Sequence, residues 1–293
     1  GSEFTPVYDQ PSNWPGSSTR GVVFDDNVKE AGLDSHLSIF ELEEGLKRSG
    51  VHFDLIYMDV CLMNMMENIC QIADYTDYIL SASHITPGYG GHYGRLMDKL
   101  EQHSEVLPAM QEYVPLTVEL WKSLDTNNSY DLSLTDTRML QPVLDEMRLF
   151  TDALIEERNS CQNDAESLEL FDYYQLYSIY QFDQYPGSYS IDLDYYANHI
   201  ANQAYLLSNA LQKMQPVRAS HHNEGIIPEF TVGITWMPAE YYNKNDFVIE
   251  DANGQQYEYA DYAVLYPMLK FHRQTGWGNF LSINEFQPKS ENP

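Results

Sequence analysis

The sequence predicts an α/β fold, a sheet flanked by helices, with a mostly helical elaboration towards the carboxyl terminus. Three observations carry that expectation: a capped amphipathic helix, a short apolar strand straight after it, and a second strand one helix later. Ser38 and Glu41 form a capping box, with Leu37 and Leu42 at the spacing of a hydrophobic staple. Ile39, Leu42 and Leu46 recur on one helical face, and Gly50 stands where a glycine ends a helix. Phe53 to Met58 then reads as a strand buried in a parallel sheet, and residues 78–82 as its neighbour. Met66, Ile69 and Ala73 recur at helical spacing, which places a helix over residues 62–73 between them. The unit is therefore β-α-β, and its crossover is right-handed.

Further along, one long amphipathic helix is expected over residues 132–156, with Ser133 or Thr135 near its start. A polar loop over 158–165 and a helix over 191–214 follow. Residues 230–236 alternate as a strand, 243–256 are polar and turn-rich, and 262–273 form a last helix ending at Thr275-Gly276. Residues 1–130 are taken as the main part of the core and 131–293 as a subdomain packed on it.

Composition narrows the function. Of 293 residues, 43% are hydrophobic and 13% aromatic, which is enough for a buried core. Sixteen basic against 44 acidic side chains give a net charge of −28, which excludes nucleic acid as a partner. No apolar run approaches the ~20 residues that cross a bilayer. No metal-binding spacing is present, so no metal site is assigned. The acidic residues read as a solvated surface. Three cysteines, Cys61, Cys70 and Cys161, are too few and odd in number for a disulfide framework.

One edge of the predicted sheet collects the reactive groups. In open α/β sheets the functional crevice lies outside the carboxyl ends of the strands. Asp59, Cys61 and the loop over residues 83–93 all fall there. Cys61 is expected between a strand and a helix amino terminus, where unpaired N–H groups favour a thiolate and could hold an oxyanion. A small buried residue at a tight junction fits the same position equally well.

The run Phe53-Asp54-Leu55-Ile56-Tyr57-Met58-Asp59-Val60-Cys61-Leu62-Met63 resembles the nucleophile strand of the clostripain-like cysteine peptidases, a family with a caspase-like fold. The likeness continues through Glu67, Ala73-Asp74-Tyr75, Asp77-Tyr78-Ile79-Leu80 and Pro87-Gly88. It resumes at Gly276-Trp277-Gly278-Asn279-Phe280-Leu281, and Gly21 to Asn27 also fits. The resemblance implies a secreted or cell-surface endopeptidase cleaving protein or peptide substrates after arginine or lysine, with Cys61 as nucleophile. Asp59 then lies at the base of the specificity pocket, where a partly buried carboxylate needs a cationic partner. The loop from Ser83 to Tyr93 forms the pocket wall. Relatives often carry an acidic residue where this chain has Tyr89, which could stack on a guanidinium instead. No cofactor is required, although some relatives use calcium.

The general-acid/base histidine is not found where the resemblance asks for it. Counting about 50 residues back from Cys61 reaches residues 10–15, and no histidine precedes His36. His36 and His52 match neither the motif nor its position, and His84 and His92 belong to the pocket loop. The expectation is that the histidine lies before this chain or on a separate light chain. In that case Gly1 either supplies an oxyanion N–H as part of the histidine motif or, with residues 2–4, is vector-derived. Maturation would cut the exposed linker after Arg20 or Lys29. The alternative is a catalytically incomplete relative that binds peptides or glycans.

Overall fold

The computed structural model describes residues 23–24, 36–83, 86–125, 129–160, 190–192, 204–221, 232–235, 239–243, 247–250, 256–259, 263 and 266–283. Strand β1 (Val23–Phe24) pairs antiparallel with β2 (His36–Leu37), which leads into helix α1 (Ile39–Ser49). The capping box at the start of α1 is formed. Glu41 N–H donates to Ser38 Oγ at 3.2 Å and Ser38 N–H donates to Glu41 Oε2 at 2.8 Å. Gly50 ends the helix at φ 64°, in the left-handed region where a Cβ is costly.

Strand β3 (Phe53–Met58), helix α2 (Met66–Ile72) and strand β4 (Thr76–Ser81) build the expected unit, with β3 and β4 parallel in the register Phe53 to Thr76 through Met58 to Ser81. Helices α3 (Tyr93–Gln102) and α4 (Val106–Leu124) follow, then strand β5 (Tyr130–Asp136) and helix α5 (Leu140–Ser160). Strand β6 (Ser190–Asp192), helix α6 (Ala204–Met214) and strands β7 (Val217–His221) and β8 (Gly233–Thr235) come next. The main sheet has the order β3-β4-β5-β7, and its last two pairings are antiparallel. It therefore takes strands from both sides of residue 130.

Two hydrophobic clusters fill the two faces of this sheet. Ile79 on β4 belongs to one, with Met66 and Ile69 of α2, Val143 and Met147 of α5, and Leu207 and Leu211 of α6. Tyr78 and Leu80, its neighbours in sequence, belong to the other, with Met110, Val114 and Trp121 of α4 and Leu132 and Leu134 of β5. Successive side chains of a strand point to opposite faces, so β4 is buried on both sides. The result is three layers: helices, sheet, helices. The carboxyl-terminal pieces, helix α7 (Ala239–Tyr242), hairpin β9 (Phe247–Glu250) with β10 (Gln256–Tyr259), and helices α8 (Lys270–Thr275) and α9 (Trp277–Leu281), complete the description. Trp277 of α9 is fully buried and donates from Nε1 to Thr235 O at 2.7 Å, tying α9 to β8.

Several expected elements are corrected. The long helix over 132–156 is instead strand β5 followed by a helix that starts only at Leu140. Tyr130, Leu132 and Leu134 alternate into one cluster while Ser133 and Thr135 face the other way, a period of two that the amphipathic reading absorbed into a helix. Of the helix expected over 191–214, residues 191 and 192 belong to strand β6 and 204–214 are helical, while 193–203 lie outside the described residues. The polar stretch over 243–256 enters a hairpin.

Candidate active site

The site is built where β3 leaves the sheet. Cys61 is half-buried and lies in a turn, not at a helix terminus, because α2 begins only at Met66. The expected dipole effect on the thiol is therefore absent. The contacts of the thiol come from the loop after β4. Thr86 N–H donates to Cys61 Sγ at 3.2 Å, and the thiol faces Thr86 O at 3.6 Å. Leu62, directly after Cys61, has φ 61°, the sole non-glycine residue in the left-handed region among the described residues. That conformation costs a branched residue about 1–2 kcal/mol. Burial of Leu62 side chain, 7% exposed, offsets it.

Beyond this turn, residues 63–65 run as an extended bridge rather than as helix. Asn64 N–H donates to Ala82 O at 2.9 Å, Gly233 N–H donates to Asn64 O at 2.8 Å, and Met65 pairs with Gly233. Asn64 side chain is fully buried. It donates to Ser83 Oγ at 2.9 Å and accepts from Ser81 Oγ at 3.3 Å and from Gln215 Nε2 at 3.0 Å. Ser83 N–H in turn donates to the buried Asp131 at 2.8 Å. This buried polar network holds the Cys61 turn against the ends of β4, β5 and β7. Ser83 is thus 1% exposed and turned inwards, a prop beneath the site and not a wall of it.

Asp59 is two residues before Cys61 and holds the pocket loop. Its Oδ2 accepts from Gly91 N–H at 2.8 Å and from Tyr93 hydroxyl at 2.5 Å, and its Oδ1 meets Tyr57 hydroxyl at 3.5 Å. Three neutral donors and, among the described residues, no cation leave its negative charge unpaired. Gly90 (φ 66°) allows the loop to lie this close, since a Cβ there would sit 2.6 Å from Asp59 Oδ2. Trp121 Nε1 donates to Gly90 O at 3.1 Å and anchors the loop to α4. Tyr89 is half-exposed, and its hydroxyl donates to Trp121 O at 3.3 Å.

The tyrosines around Asp59 stay protonated. Burial, then the neighbouring Tyr113 and Asp59, pushes the Tyr57 hydroxyl far up, and the hydrogen bond to Asp59 pushes Tyr93 up to about 12. Gly90, Gly91 and Tyr93 belong to the loop expected as pocket wall, but neither they nor Tyr57 are singled out by the sequence as partners of Asp59. The place of Tyr57 two residues before Asp59 signals its contact, whereas the hydrogen bonds of the loop residues to Asp59 become visible only through the fold. His84, Gly1, Arg20, Lys29 and Cys161 lie outside the described residues. Cys70 is fully buried, and desolvation holds its thiol well above the ordinary range. Among the described residues no group of three or more His, Cys, Asp or Glu side chains could hold a metal ion.

A central sheet covered by helices on both faces is the caspase-like fold. The clostripain family model matches residues 7–283, and the chain belongs to the clostripain family. Solved structures agree on the fold. A clostripain from Bacteroides thetaiotaomicron, in complex with the peptide inhibitor BTN-VLTK-AOMK, superposes with a TM-score of 0.52 at 14% identity, over 69% of this chain and 86% of that one. A secreted cysteine protease from the same organism, in complex with an irreversible peptide inhibitor, gives 0.56 at 15% identity, over 95% and 70%. An inactive zymogen protease from Parabacteroides distasonis gives 0.50 at 15% identity, over 87% and 67%. A search of curated protein sequences gives no match. No described helix is long and apolar enough to cross a membrane.

Proposed function

We propose that this chain is the cysteine-bearing part of an endopeptidase that cleaves after lysine or arginine, with Cys61 as nucleophile and Asp59 at the base of the specificity pocket. The observation that carries the reading is the unpaired carboxylate of Asp59 two residues from a half-buried thiol. A basic side chain supplies the missing countercharge and brings the bond on its carboxyl side towards Cys61 Sγ. The thiolate then attacks the carbonyl, the amine leaves with a proton from an imidazolium, and water hydrolyses the thioester.

The histidine for that proton transfer comes from outside the described residues. Strand β3 is the edge of the main sheet among those residues, so its outer side is open to a further strand. A histidine-bearing segment of this protein or a light chain fits there. By analogy with the zymogen relative, cleavage after Arg20 or Lys29 activates the enzyme. The secreted relative supports an extracellular or cell-surface site of action.

A peptide ending in lysine or arginine with a thiol-reactive group tests the assignment on protein made from the full gene. Mass spectrometry is expected to place the label on Cys61, and Cys61→Ala to abolish both labelling and turnover. Turnover surviving Cys61→Ala, with the label elsewhere, rejects the nucleophile.

A further inference from the structure

The donors on Asp59 are unevenly shared between its oxygens. Gly91 N–H and Tyr93 hydroxyl both end on Oδ2, at 2.8 and 2.5 Å, and so occupy its two lone-pair directions. Oδ1 meets only Tyr57 hydroxyl, at a long 3.5 Å. Resting on the reading of Asp59 as the pocket carboxylate, we propose that Tyr93 sets the choice between the two basic residues and that this enzyme favours lysine over arginine.

The reason is geometric. A guanidinium gains its advantage over an ammonium by placing one N–H on each carboxylate oxygen. With Oδ2 filled, the fork has one oxygen left. An ammonium is a compact charge with three rotatable donors and needs no more than Oδ1. The block is permanent at working pH, because the Tyr93 hydroxyl, raised to about 12, stays a donor. It is also removable. Tyr93 opens α3, 54% of it is exposed, and its ring centroid lies 6.1 Å from that of Tyr57, so losing the hydroxyl leaves ring and helix in place. Gly91 N–H would still hold Oδ2, with one direction free for an arginine N–H.

Equilibrium binding of two peptides, identical except for lysine or arginine at the residue entering the pocket, tests this. The protein is made from the full gene and carries Cys61→Ala, so that bound peptide is not cleaved. Without a second change it is expected to bind the lysine peptide more tightly. Adding Tyr93→Phe is expected to shift the ratio towards arginine by about tenfold, the worth of one hydrogen bond to a charged group. Adding Asp59→Asn is expected to abolish the binding of both. A ratio unmoved by Tyr93→Phe, or an initial preference for arginine, overturns the role of Tyr93 while the Asp59→Asn loss keeps the pocket. Basic-peptide binding that survives Asp59→Asn, or is absent from the start, overturns the pocket and the role of Tyr93 with it.

Discussion

Glu67 offers a measurement of how the site's scaffold is held. It lies on α2 with no solvent exposure, and its Oε1 accepts from Thr235 N–H at 2.9 Å and from Tyr266 hydroxyl at 2.6 Å. One carboxyl group thereby joins α2, β8 and the turn before α8. Desolvation raises its pKa above 4.5, and the two hydrogen bonds only partly oppose that. An acid whose pKa is raised on folding gives its full stability below the unfolded pKa and loses it as pH climbs towards the folded value. Within that window the loss is about 1.4 kcal/mol per pH unit. Glu67→Gln keeps both accepted hydrogen bonds and cannot ionise. The stability of the variant minus that of the wild type is therefore expected to grow with pH, starting near pH 4.5, and to level off above the folded pKa. Taking the difference cancels the other carboxylates, which titrate alike in both proteins. Glu67→Leu, by contrast, strands two buried donors at about 1–3 kcal/mol each and is expected to destabilise at every pH. Urea unfolding of the three proteins at a series of pH values reads these differences directly. A Glu67→Gln difference that stays constant with pH would show that Glu67 titrates alike in folded and unfolded states, and the reasoning from burial would fail.

Other expectations are local. Gly90→Ala places a Cβ 2.6 Å from Asp59 Oδ2 at φ 66°, so it should cost about 1–2 kcal/mol and weaken basic-peptide binding. Gly88→Ala, with nothing within 4 Å, is its neutral control in the same assays. Ser38→Ala removes the side-chain cap of α1 and should cost about 1 kcal/mol in unfolding, with peptide binding unchanged. Native alkylation should modify Cys61 and spare the fully buried Cys70 until denaturant is added, as peptide mapping would reveal.

Local chemistry made part of this fold legible in the sequence. The capping box at Ser38, the left-handed Gly50 and the parallel pair β3 and β4 each depend on residues close together in the chain. The spacing of Asp59 and Cys61 on one strand end needed no fold to be seen. Strand β5 differs from the expected helix because its period of two over Tyr130, Leu132 and Leu134 is short and runs straight into the longer helical pattern of α5. Its pairing with β4 and β7 decided the matter. The role of Ser83 depended likewise on partners far away, since Asn64 and Asp131 draw it inwards from 19 and 48 positions off. Asp59 shows the division most clearly. The sequence determined that a carboxylate stands beside the thiol. Only the tertiary structure decided what it can still accept, because Gly91 and Tyr93 reach it from 32 and 34 residues further along, where no local pattern records the approach.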